Sequence, residues 1–302
     1  MKAKKIVFII LAIAILIGFG VAIGMGGKNK NNSDAKYKVV ASNFASYDFL
    51  RAIVGDNKDI EITFLIGPGK DAHSYDPTAQ DLIKIKGADL FVYVGGEMEK
   101  WSDKVLDSLD TTGTEIICIA DFVETIEEKE VDGAEEHEHD HEDEDEHHDE
   151  HEHEEGAFDE HIWTSPENAI KMVNSLEKAM EKIDSKNANT YKGNADKYIA
   201  QIQDVDKQIQ DVIDNRVRDR LIFADKMPMQ YFIDYYNLKV SAAFDGCSTE
   251  VDPSAQTIAD ETGAKAMQIQ TLHNVSLDDF NNGETWVSLM TRNIDVLKKA
   301  LQ

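Results

Sequence analysis

Cysteine and positive charge are both scarce in this 302-residue chain, and each shortage excludes something. Two cysteines, Cys118 and Cys247, are too few for a disulfide-dense scaffold or a four-thiolate zinc site. Only 31 basic side chains stand against 58 acidic ones, a formal charge of −27 that repels nucleic-acid phosphates and anionic lipid heads alike. No G-x-S-x-G elbow, P-loop or dinucleotide fingerprint occurs, so the common catalytic signatures are missing too. Apolar residues make up 42% of the chain, enough to build cores, and the length suits one large domain or two modest ones. Much of the acidity is local. Residues 135–155 are fourteen Asp/Glu and seven His and nothing else, which leaves −13 for the remainder.

Met1-Lys-Ala-Lys-Lys5 is a basic start, and Ile6 to Gly27 then runs 22 residues without a charge. A positive segment before an apolar run reads as an export signal, and about 20 apolar residues also suffice to span a bilayer. Gly18, Gly20, Ala22 and Gly24 offer small residues to a signal peptidase, so cleavage and retention as an anchor both stay open. No cysteine follows the run, from which the chain is expected not to be a lipoprotein. The expected location is extracytoplasmic, either tethered to the membrane or secreted after cleavage.

From Lys38 onward, short apolar runs alternate with helical patterns, and such alternation predicts parallel α/β architecture. Strands are expected at 38–42, 60–66, 89–94, 115–120, 220–224, 239–244 and 265–270. Helices are expected at 46–54, 78–86, 97–109, from Ser165-Pro166-Glu167 onward, and at 187–216, 229–236, 254–262 and 284–301. In the long helix, Tyr191, Tyr198, Ile202, Val205, Ile209 and Val212 form one apolar stripe. The reading is two α/β lobes joined by a spine helix, with a ligand cleft between them. Its segments are a signal or anchor over 1–27, a tether over 28–36, an N-terminal lobe over 37–134 completed by 156–186, a solvated His/Asp/Glu loop over 135–155, the spine over 187–217 and a C-terminal lobe over 218–302.

Two histidines stand out for chemistry. His73 lies in Gly67-Pro-Gly-Lys-Asp-Ala-His73-Ser-Tyr-Asp-Pro77, a loop just past a strand, where ligands of open α/β sheets sit. His161 lies in Asp159-Glu-His161-Ile-Trp-Thr-Ser-Pro166, with Trp163 as an apolar wall and carboxylates near enough to orient an imidazole. Taken singly, a loop histidine is more often a surface residue than a ligand. Trp101 and Trp163 read as packing residues.

Taken together, His73-Ser-Tyr-Asp-Pro77 and His161-Ile-Trp-Thr-Ser-Pro166, separated by a His/Asp/Glu run, resemble the zinc/manganese solute-binding proteins of ABC importers. The resemblance extends through Gly96-Glu-Met-Glu-Lys-Trp101, Pro166-Glu-Asn-Ala-Ile170 and Tyr231-Phe-Ile-Asp-Tyr-Tyr-Asn-Leu238. It continues in Ala243-Phe-Asp-Gly-Cys-Ser248 and Trp286-Val-Ser-Leu-Met-Thr-Arg-Asn293. It implies a rigid two-lobed monomer that holds one divalent metal in the cleft and hands it to an ABC permease. His73 and His161 match the first two ligand positions of that family. The third falls on Lys226, whose ammonium has no lone pair to offer, with Asp225 beside it as a substitute. The fourth falls near Gln270, with His273 as a substitute three residues on. A strand-plus-helix unit of that family is missing before His273, so the second lobe is expected to be shortened.

The run over 135–155 has no apolar residue to bury and is expected to be solvated. Its seven histidines, His137, His139, His141, His147, His148, His151 and His153, form a tract suited to collecting zinc weakly and at several points. Imidazole-rich donors favour Zn2+, with Mn2+ the alternative. His137-Glu-His-Asp-His141 fits the H-E-x-x-H protease pattern literally but lacks the apolar helix that motif needs, so no enzyme activity is expected. The expected function is therefore metal capture for an importer. A zinc buffer working through the loop is the second reading, and an adhesin the third.

Overall fold

Val39, Val40 and Ala41 are all buried, so the first strand is apolar on both faces, as a central strand of a parallel sheet must be. The computed structural model describes residues 35–127, 158–223, 229–242 and 265–302. The chain divides into two units, Met1–Lys36 and Tyr37–Gln302, and the account below concerns the second. The first sheet takes β1 (Tyr37–Ala41), β2 (Ile60–Phe64), β3 (Leu90–Tyr93) and β4 (Glu115–Cys118) in the order β2-β1-β3-β4. All three ladders are parallel. The order reverses between β1 and β3, and the crevice at the carboxyl ends of such a reversal is where open α/β sheets take ligands.

Each crossover helix is set by local chemistry. In α1 (Phe44–Val54) the side chain of Asn43 accepts the Ser46 amide at 2.7 Å, and Phe44, Phe49, Leu50 and Ile53 turn inward. In α2 (Ala79–Lys86) Thr78 and Asp81 form a reciprocal capping box. The helix expected over 97–109 begins as a 3-10 turn at Glu97–Glu99 and becomes α3 only at Trp101–Ser108.

Ser165 caps α4 (Pro166–Ile183) with Pro166 in its first turn. The spine helix is α5 (Ala188–Asp214), 27 residues and about 40 Å long at 1.5 Å per residue. Its predicted stripe is buried throughout, and it packs on α4, on α1 and on the closing helix α8 (Trp286–Leu301). Among the described residues, the second sheet has two parallel strands, β5 (Arg220–Phe223) and β6 (Lys239–Ala242), with α6 (Gln230–Tyr235) between them.

The strand expected over 265–270 is not one. Residues 265–271 join no sheet. Side chains replace the ladder: the fully buried Asn293 of α8 accepts the Gln270 amide at 2.7 Å and donates to the Gln270 carbonyl at 2.8 Å. Trp163 Nε1 donates to the Thr271 carbonyl at 2.9 Å. A short helix, α7 (Leu277–Asn281), capped by Ser276, follows and was not expected. The helix expected at 254–262 lies outside the described residues, as do the apolar run, residues 28–34 of the tether and the His/Asp/Glu loop. No helix of the described residues is long and apolar enough to cross a membrane.

Candidate metal centre

Ten histidines occur in the chain; seven are in the 135–155 run and the other three meet at one point. One ring nitrogen from each of His73, His161 and His273 lies within 4.8 Å of the other two. Three separate segments deliver them, and each is held by a different device.

His73 stands on the loop that leaves the carboxyl end of β2. Gly69 turns that loop at φ +72°, a conformation that disfavours any side chain, and its amide donates to the Val275 carbonyl at 2.9 Å. The His73 amide donates to Asp71 Oδ1 at 3.1 Å.

His161 opens the 3-10 turn Ile162–Thr164 and is only 2% exposed. Its carbonyl accepts both the amide and the hydroxyl of Thr164, and Trp163 meets the ring edge-on at 5.6 Å. Asp159 Oδ1 accepts the His161 amide at 2.7 Å and faces Nδ1 at 2.8 Å. The segment is wedged from the other side at Gly96, where a Cβ would lie 2.5 Å from Glu160 Cγ. That absence of a side chain lets the Met98 amide reach Glu160 Oε1 at 2.9 Å.

His273 follows the segment that Asn293 and Trp163 hold. Its Nδ1 lies 3.0 Å from His161 Nε2, and its ring stacks on His73 with centroids 5.0 Å apart. Its outer nitrogen, Nε2, faces Asp71 Oδ1 at 3.2 Å. Burial pushes the His273 imidazole below its ordinary value, with the neighbouring His161 adding to the effect. The hydrogen bond to His273 holds the Asp71 carboxyl down at about 2.

The donor set suits a borderline cation. Two of the three imidazoles have a carboxylate on the nitrogen remote from the cluster, the arrangement that fixes ring orientation and raises ligand basicity. With Zn–N bonds of 2.0–2.1 Å, two ligands of a tetrahedral zinc stand about 3.4 Å apart, so a small widening of the His161–His273 contact admits the ion.

Of the residues singled out from sequence, His73, His161 and His273 are thus brought together. Asp225 and all seven loop histidines lie outside the described residues, as does Lys226. Asp71 was passed over. The signal for it is plain in retrospect, because Asp71-x-His73 and Asp159-x-His161 share one spacing and each aspartate accepts the amide of the histidine two residues on.

Residues 39–260 match the family described as ZnuA, zinc-uptake complex component A, periplasmic. The chain belongs to this family. It is 30% identical to the high-affinity zinc uptake system protein ZnuA of Bacillus subtilis (strain 168), over 88% of each chain. It is 28% identical to the zinc-binding lipoprotein AdcA of Streptococcus pneumoniae (strain ATCC BAA-255 / R6), covering 88% of this chain but 56% of AdcA. The chain therefore spans little more than half the length of that relative. The crystal structure of the Zn(II)-bound ZnuA-like domain of S. pneumoniae AdcA superposes with a TM-score of 0.70 at 24% identity, covering 88% of this chain and 99% of that one, and establishes the shared fold.

One expectation is overturned. The chain was read as no lipoprotein because no cysteine follows the apolar run, yet AdcA, matched over 88% of this chain, is named a lipoprotein. The expectation rested on one absent thiol, which bears on acylation at a cysteine after the run and on nothing else.

Proposed function

We propose that this ZnuA-family chain captures Zn2+ at His73, His161 and His273 and delivers it to an ABC permease. The observation that carries the reading is the convergence of those three rings, from positions 73, 161 and 273, to within 4.8 Å. Three imidazole donors favour zinc over manganese, which prefers oxygen donors. Three protein ligands leave a fourth position of a tetrahedral zinc to be filled. Asp225 remains the candidate for that position. The chain supplies no covalent chemistry, only a site to be filled and emptied. The seven histidines of 135–155 gather zinc weakly and at several points.

A zinc buffer needs only the loop, whereas a precise three-segment cluster serves a capture site, and this favours the importer reading. The test is a zinc titration of the chain lacking 135–155, beside the same chain carrying His73→Ala. One tight equivalent, lost on substitution, is the expected result. Absence of any tight equivalent once the loop is removed would leave the loop as the functional part and sink the proposal.

A further inference from the structure

A single oxygen, Oδ1 of Asp71, faces the backbone amide of His73 at 3.1 Å and Nε2 of His273 at 3.2 Å. It thus reaches two members of the triad that are 200 residues apart in the chain, and among the described residues it is the ionisable side chain that meets the outer nitrogen of His273. Asp159 does the equivalent for His161, through one oxygen on its amide and its Nδ1. The two rings therefore present opposite nitrogens to the cluster: Nε2 from His161, Nδ1 from His273.

We infer that Asp71 is the positioning residue for His273, selecting Nδ1 as its coordinating nitrogen and clasping the His73 loop to the 271–275 segment around the ion. The inference rests on the metal site proposed above and adds to it which atom binds and what sets that atom. An ionised carboxylate is acceptor-only, so it requires a hydrogen on Nε2 and leaves the Nδ1 lone pair to the metal. Its charge raises the basicity of that lone pair. The Gly69 amide on the Val275 carbonyl at 2.9 Å is a second stitch between the same two segments, so Asp71 works on a junction already closed at the backbone. Asp71 touches no metal itself.

The charge role separates from a purely structural one in the Asp71→Asn variant. Asparagine keeps an oxygen able to accept both N–H groups and loses only the charge. The measurement is Zn2+ affinity of the full chain against a tight chromophoric chelator, so that weak loop binding does not register. Wild type, Asp71→Asn, Asp71→Ala and His73→Ala are compared. Asp71→Asn is expected to weaken the tight equivalent about 10-fold and Asp71→Ala up to about 100-fold, the range found for outer partners of metal ligands.

Wild-type affinity in Asp71→Asn, or in both variants, overturns the inference. On the unaltered chain loaded with zinc, histidine 15N shifts are expected to show His273 bound through Nδ1 and protonated at Nε2. Binding through Nε2 overturns the inference even if the variants fold poorly. A wild-type chain without any tight equivalent that His73→Ala removes fails the metal site itself, and that outcome is recognisable before the Asp71 variants are read.

Discussion

The hydroxyl of Tyr198 donates to Asp48 Oδ2 across 2.5 Å, joining the spine helix α5 to α1 inside the molecule. The same carboxylate accepts the Trp286 amide at 2.7 Å and Arg51 Nη2 at 2.8 Å, so the first turn of α8 is tied to the same point. Three elements meet on one nearly inaccessible side chain. Asp48→Ala leaves the buried Tyr198 hydroxyl and Trp286 amide without an acceptor, and removing one partner of such a buried network costs about 3–5 kcal/mol. The expected result is a melting temperature lower by roughly 10 °C in a domain of this size. A shift below about 2 °C would mean that the junction is not structural.

His273→Ala should remove the tight zinc equivalent as fully as His73→Ala does, since loss of a ligand must exceed the roughly 100-fold that outer partners reach. A thermal melt provides an independent reading. Zinc at 100 times its dissociation constant stabilises the wild-type fold by about 2.7 kcal/mol, and chelator reverses this. In a His273→Ala chain lacking 135–155, zinc should leave the melt unmoved. A retained shift would place the site elsewhere.

Asn293 offers a way to disturb the site without touching a histidine. Its amide satisfies both backbone groups of Gln270 where, among the described residues, no strand pairs with them. Asn293→Leu keeps the volume and orphans those groups, at about 1–3 kcal/mol each. Stability and zinc affinity should fall together, because the segment so loosened carries His273. Unchanged zinc affinity in a destabilised Asn293→Leu chain would show that Asn293 does not hold His273 in place.

Glu99 predicts an unusual pH response. It is fully buried, accepts the Val94 amide at 2.6 Å and the Gly95 amide at 3.2 Å, and burial raises its carboxyl to about 7. The folded chain therefore keeps a proton that the unfolded chain loses near 4.5. This contribution is complete below about pH 4.5 and disappears as pH rises through 7, a difference of about 3 kcal/mol. Glu99→Gln retains an acceptor for both amides and has nothing to titrate. Denaturant unfolding at pH 5 and pH 8 should show a steeper loss in wild type than in Glu99→Gln. Equal slopes would contradict it.

The first sheet was legible because its strands are apolar runs cut by strong punctuation, such as Gly67-Pro68-Gly69 and the Thr78/Asp81 capping box. The spine was legible because its stripe, Tyr191 to Val212, repeats at helical spacing for about six turns. The segment 265–270 was misread for a definite reason: Ala266, Met267 and Ile269 satisfy a strand pattern, but pattern carries no information about whether a neighbouring strand exists to pair with. Among the described residues, the backbone of Gln270 pairs instead with one side-chain amide 23 residues away. His73 and His161 carried local motifs. His273 has none, and only folding shows that it completes the cluster. Asp71 was visible in the aspartate-x-histidine spacing, yet its acceptance of a ring 202 residues away is a property of tertiary structure alone.

That separation has a consequence for when the protein becomes competent. A folding chain has Asp71 and His73 near one end of the site and must build the sheet, the spine and the segment under Trp163 before the third ring joins them. Closing so long a loop is slow, and its entropy must be offset by packing before any ligand rewards it. An unfinished or misfolded chain thus has no cluster to fill. Under the proposed function, a tightly bound ion would therefore mark a chain whose folding has reached His273.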